Sequence, residues 1–136
     1  MNTQFLRRRM ADDAIDTASP ARIVTMLYDR LVRDLVMAEQ AVDAGDRLDA
    51  EKHLLHAQDI VIELRTSLKF GIWDGAESLA GIYGFLLGEL MRANVRKDVA
   101  RIASCRGLVQ PLRDAWHDAA SGLAGEAAVR FGVAGG

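Results

Sequence analysis

In the last third of the chain, Ile102, Cys105, Val109, Leu112, Trp116, Ala119 and Leu123 follow one another at alternating steps of three and four. An α-helix brings such residues onto one stripe, because its 3.6-residue turn puts i, i+3, i+4 and i+7 on a common face. A stripe this regular must lie against other apolar stripes, and the rest of the chain supplies three. Pro111 falls inside the pattern, removes one helical hydrogen bond and predicts a bend near Gly107 and Leu108, in one bent helix rather than two.

The first of the other stripes runs from about Pro20 to Ala44, with Val24, Leu27, Leu31, Leu35, Ala38 and Val42 inward. Thr17 or Ser19 can cap it, and Pro20 suits the first helical position, where its missing N–H is not needed. Gly45 fits the left-handed position after a helix end. Asp46 or Asp49 then caps a second helix that ends near Phe70 and Gly71 and faces the core with Leu54, Ala57, Val61, Leu64 and Leu68. After a turn, Asp74 and Glu77 have the spacing of a capping box. A third helix turns Leu79, Ile82, Leu86, Leu90 and Ala93 inward; Asn94 can end it and Asp98 can cap the fourth. Short connections between four long helices force neighbours to run antiparallel. The fold class predicted is therefore all-α, an antiparallel up-down-up-down four-helix bundle with a flexible N-terminal arm. Residues 1–16 form the arm and 17–123 the bundle. Glycines from Gly122 onward predict a frayed tail over 124–136.

At 136 residues the chain is long enough for one core. A net charge of −2 gives no positive field for nucleic acid, and no apolar run approaches the roughly 20 residues of a membrane span. Arg7, Arg8 and Arg9 are followed by Ala11, Asp12 and Asp13 where a signal peptide needs apolar residues, so a cytoplasmic protein is expected. The three arginines beside two aspartates read as a solvated arm. The single cysteine, Cys105, excludes an internal disulfide, and its place on the fourth stripe makes it a buried small hydrophobe.

Little here resembles catalytic chemistry. His53, His56 and Asp59 share a helix face, and His117 with Asp114 offers another pair. A di-iron bundle needs Glu-x-x-His on two helices, and the chain has none. The histidines therefore read as solvated on a polar face; no cofactor, metal ligand or catalytic residue is expected. Gly81, Gly84 and Gly88 lie within the third helix and suggest close helix approach, at a cost of about 1 kcal/mol each relative to Ala.

The stripes leave apolar residues over. Tyr28, Val32 and Val36 make a second row on the first helix, Leu55 and Ile62 on the second, and Tyr83, Leu87 and Met91 on the third. Such breadth means deep burial or a surface that awaits a partner. A groove between rows suits an amphipathic helix from another chain, and Met26, Met37 and Met91 suit an adaptable surface. The contact residues expected from these rows are Tyr28, Leu55, Ile62, Tyr83, Leu87 and Met91. Two other readings are a metal-dependent bundle enzyme and a bundle that buries these rows against a second copy.

With its helices placed, the chain resembles the family of flagellar secretion chaperones that bind flagellin (the FliS family). The resemblance rests on Thr17-Ala-Ser-Pro20, Met26-Leu-Tyr-Asp-Arg-Leu31, the run from Ala57 to Leu68, Ile82-Tyr83, Leu90 to Asn94 with Asp98, and Leu112-Arg-Asp-Ala-Trp116. These segments come in the family's order and spacing over roughly residues 10 to 120. The resemblance implies a cytoplasmic export chaperone and no enzyme. Its client would be the disordered C-terminal segment of flagellin, kept from premature polymerisation and delivered to the flagellar type III export gate. Two positions depart from the family pattern. Met10 stands where a tyrosine is common, five residues before Ile15, and Gly84-Phe85 follows Tyr83 where the family usually reads Tyr-Asp-Tyr. Met10 and Ile15 are added to the expected partner contacts, on an arm that covers the empty groove and moves aside for the client.

Overall fold

The computed structural model describes residues 20–68 and 75–130, with the side chains of Pro20 and of residues 123–130 left aside. Four helices make up this region: α1 (Pro20–Asp43), α2 (Arg47–Ser67), α3 (Ala76–Arg96) and α4 (Val99–Arg130). The expected arm, with Met10 and Ile15, lies outside the described residues, as do Asp74 and residues 131–136.

The helix ends follow local chemistry. After α1 the amide of Asp46 bonds the carbonyl of Ala41 at 2.8 Å, and that of Gly45 bonds Val42 at 3.0 Å. This paired closure requires a left-handed residue, and Gly45 supplies it at φ 75°. Asp46 also starts α2, its carboxylate accepting the Asp49 amide at 3.0 Å, so Asp46 and not Asp49 is the cap. α3 runs past Asn94 to Arg96, and Lys97 closes it at φ 53°, with its ammonium on the Asn94 carbonyl and side-chain oxygens at 2.7 Å each. At the start of α3 the cap position is Gly75, which has no side chain to offer; the expected Asp74–Glu77 box involves Asp74, outside the described residues. Asp98 caps α4 through the Arg101 amide at 3.1 Å.

α4 runs as one helix through Pro111. The missing proline N–H leaves the Gly107 carbonyl without its usual donor, and both residues are exposed, so water can replace it. The helical backbone also continues through Gly122 and Gly125 to Arg130, beyond the point where fraying was expected. Alanines at 119, 120, 124, 127 and 128 favour the helix strongly enough to offset glycine.

α1 packs against α2 and α4, and α3 against α2 and α4, so the helices stand in a ring. Ion pairs fix their directions. From Glu39 back to Asp29 along α1, the α4 partner advances from Arg106 to Arg113 and His117, so these helices are antiparallel. The three-residue turn between α1 and α2 and the two-residue turn between α3 and α4 reverse the chain likewise. The core contains Leu27, Leu31, Leu35 and Ala38 of α1, Leu54, Ala57, Val61 and Leu64 of α2, Leu79, Leu86, Leu90 and Ala93 of α3, and Ile102, Cys105 and Val109 of α4. Each fully buried Leu or Ile contributes roughly 1.5–3 kcal/mol over leaving it exposed. Val24, Val42, Leu68, Ile82, Leu112 and Trp116 pack against this core with part of their surface outside.

Candidate functional site

On α2, His53 and His56 reach Asp34 and thereby mark the edge facing α1. Leu55 and Ile62 lie about half a turn round the helix from His53, on the edge toward α3. On α3, Glu89 reaches Arg101 at 2.5 Å and marks the edge facing α4. Leu87 and Met91 lie about half a turn away, toward α2. Each edge thus lies on the side of its helix toward the other member of the packed α2–α3 pair. Leu55 is 48% exposed, Ile62 42% and Met91 55%, while Leu87 is half-buried against the core. Apolar surface left open in this way stabilises a complex by roughly 25 cal/mol per Å² when a partner covers it.

Tyr28 and Tyr83 stand elsewhere. Both are buried, and their hydroxyl oxygens are 2.5 Å apart across the bundle diagonal. The rings meet at 6.5 Å, and Trp116 of α4 stacks on Tyr28 at 6.3 Å. Val32 is buried too and Val36 half-buried. The second row of α1 is thus core, because α1 lies between α2 and α4 and needs an apolar face wide enough for both. Burial raises the Tyr28 hydroxyl pKa, with hydrogen bonds to Tyr83 and Trp116 opposing it. Burial raises the Tyr83 hydroxyl far above the ordinary phenol value, and its bond to Tyr28 adds to the rise.

The histidines correct the reading of a solvated polar face. His53 is mostly buried, and both rings bond Asp34 through Nδ1, the His53 bond at 3.1 Å. Each imidazole points at a carboxylate oxygen rather than at a shared empty centre. Among the described residues no group of three or more His, Cys, Asp or Glu is placed to hold a metal. His117 pairs with Asp29 of α1 at 2.7 Å, not with Asp114. Asp59 stays exposed. Cys105 is buried, and burial pushes its thiol up to about 11, which suits packing and not reactivity. The α3 glycines do not permit close approach within the bundle: a Cβ at Gly81 or Gly84 meets nothing within 4 Å, and at Gly88 only the flexible end of Arg92.

Sequence reading missed Asp34, a buried carboxylate whose signal was the His53–His56 pair on a facing helix. It also missed Phe85, exposed on the α4 side of α3. Ile82, Leu108 and Leu112 are half-buried, and α3 and α4 make the smallest contact of the four neighbouring pairs. A second apolar flank therefore borders α3. No described helix is long and apolar enough to cross a membrane.

Residues 3–122 match the family model of the flagellar protein FliS. The flagellar secretion chaperone FliS of Bacillus subtilis is 30% identical over 107 residues, 79% of this chain and 80% of that protein. The chaperone of the same name from Escherichia coli is 28% identical over 118 residues, covering 85% and 87%. The one from Salmonella typhimurium is 28% identical over 110 residues, covering 77% and 79%.

Proposed function

The chain belongs to the FliS family of flagellar secretion chaperones, which are not enzymes, and from that premise we propose that it binds the C-terminal segment of flagellin in the cytoplasm. By holding that segment it prevents premature polymerisation and delivers flagellin to the export gate. The observation that supports this reading is that Leu55 and Ile62 of α2 and Met91 of α3 leave apolar surface open, with Leu87 half-buried; we read these edges as walls of one α2–α3 groove. An amphipathic client helix placing residues at i, i+3, i+4 and i+7 covers such a row. The Phe85 flank offers a second strip, so a client segment can follow both sides of α3.

Ordering a disordered client costs about 2–5 kcal/mol, and burial of roughly 1,000–3,000 Å² offsets it. Tyr28 and Tyr83 act from inside, setting the spacing of α1, α3 and α4 on which the flanks depend. Met10 and Ile15 belong to a segment that rests over the empty apolar face and yields to the client. The apolar face tests the reading through Ile62→Glu and Met91→Glu. Each is expected to keep the helical circular-dichroism spectrum and melting temperature while weakening flagellin binding at least about tenfold, the equivalent of 1.4 kcal/mol. Unchanged affinity in both variants would sink the groove assignment; unfolding of both would make these positions core.

A further inference from the structure

We propose that the cleft between α1 and α2, on the opposite edge of α2 from the apolar groove, docks an acidic peptide segment of a second partner protein. The cleft holds about 270 Å³ and is walled by Arg30 and Arg33 of α1 and Lys52 of α2. None of these three cations makes an ion pair or hydrogen bond to a described residue. The bundle treats its other interhelical arginines differently: Arg106 is forked onto Glu39, Arg113 sits on Asp29 and Arg101 on Glu89. Arg30 and Arg33, one helical turn apart, repel each other, and the fold gains nothing from placing them together.

The carboxylate within the cleft makes no ion pair with them. Asp34 is buried and engaged by both imidazoles, and His53 turns its other nitrogen to Asp49 at 3.6 Å. Three cations therefore line the cleft without an ion pair to any described residue, and they outnumber its single carboxylate. Burying a carboxylate between two helices is a costly way to hold them together, since an apolar pair serves stability as well or better. What it supplies is orientation: Asp34 fixes His53 and His56 as the floor between the cationic walls.

The spacing suits a peptide rather than a compact anion. Arg30 and Arg33 are offset by about 4.5 Å along the axis, and Lys52 stands on the other helix. Successive acidic side chains on one segment can meet all three, and the half-buried Met37 offers an apolar contact beside them. A nucleic-acid strand is disfavoured by the net charge of −2 and by a lining that holds no Phe, Tyr or Trp, its two imidazoles being engaged by Asp34. The site does not rest on the flagellin reading, and both segments can be bound at once because they occupy opposite edges of α2.

The test is fluorescence anisotropy of a fluorescein-labelled octaglutamate titrated with the full chain at low ionic strength. Arg33→Ala with Lys52→Ala is expected to weaken binding about tenfold. Arg47→Ala with Arg65→Ala, which removes the same charge from α2 outside the cleft, is expected to change it little. Inorganic phosphate at matched ionic strength is expected not to displace the peptide, and flagellin affinity is expected to stay the same in both double variants. Absence of binding to the intact chain, equal loss in the two double variants, or displacement by inorganic phosphate overturns the proposal. Loss of flagellin binding in the Arg33, Lys52 variant would instead merge the cleft with the client site and end its separate role.

Discussion

Tyr28 of α1 and Tyr83 of α3 join hydroxyl to hydroxyl at 2.5 Å across the diagonal of the bundle, with Trp116 stacked against the first ring. The two helices make little other contact, so this pair is the main polar tie through the middle of the ring. A buried hydroxyl is costly when left alone and nearly neutral when its partner is removed with it. Tyr28→Phe and Tyr83→Phe are each expected to cost about 1–2 kcal/mol, and the double variant less than their sum. Urea denaturation of the four proteins measures the coupling; strict additivity would show that the hydroxyls do not sense each other.

The same burial sets an alkaline limit. Cys105 is held protonated up to about 11, and Tyr28 and Tyr83 above the usual phenol value, chiefly because the interior disfavours their anions. The unfolded chain releases these protons at ordinary values, about 8.5 for the thiol and about 10 for the phenols. Stability is therefore fully present below about pH 8.5 and falls as pH rises, first through the thiol and then above about pH 10 through the tyrosines. Urea midpoints from pH 7 to 11 should show this decline, and Cys105→Ala should remove its earlier part. A flat profile to pH 11 contradicts the burial of all three.

Glycine to alanine changes have opposite signs at two places. Gly45 holds φ 75°, so Gly45→Ala is expected to cost about 1–2 kcal/mol. Gly81 and Gly84 have helical backbone and empty space around a new Cβ, so alanine there is expected to gain about 0.5–1 kcal/mol each. Thermal melts of the three variants decide the matter. A loss at Gly81 or Gly84 would mean that these positions are packed.

Asp34 makes a different demand. Asp34→Ala leaves His53 and His56 without their acceptor at a mostly buried position, and is expected to cost about 1–3 kcal/mol. Changing all three residues to apolar ones of similar size should restore much of that loss, as buried ionic groups often allow. If Asp34→Ala alone is neutral, the cluster is solvated after all.

The bundle was legible in the sequence because stripe periodicity and capping chemistry are local. Leu54 to Leu64 on α2, Gly45 after α1 and Asp98 before α4 follow from spacing and residue type alone. What spacing does not reveal is which side of a helix has a neighbour. Tyr28 and Ile62 both stood in second rows, yet Tyr28 is buried between three helices and Ile62 remains outside. Separating them required the ring order. Asp34 was missed for the same reason: its partners are on another helix, and an aspartate between Arg33 and Leu35 looks like any surface charge. The α3 glycines suggested close approach by analogy of composition, whereas space around a Cβ depends on where the adjacent helix stands.

The most direct measurement is calorimetric titration of this chain with flagellin from the same organism, intact and lacking its C-terminal segment. Tight one-to-one binding to the intact client is expected, with a negative heat-capacity change from apolar burial, and its loss on truncation. Equal binding to both forms, or none to either, contradicts it.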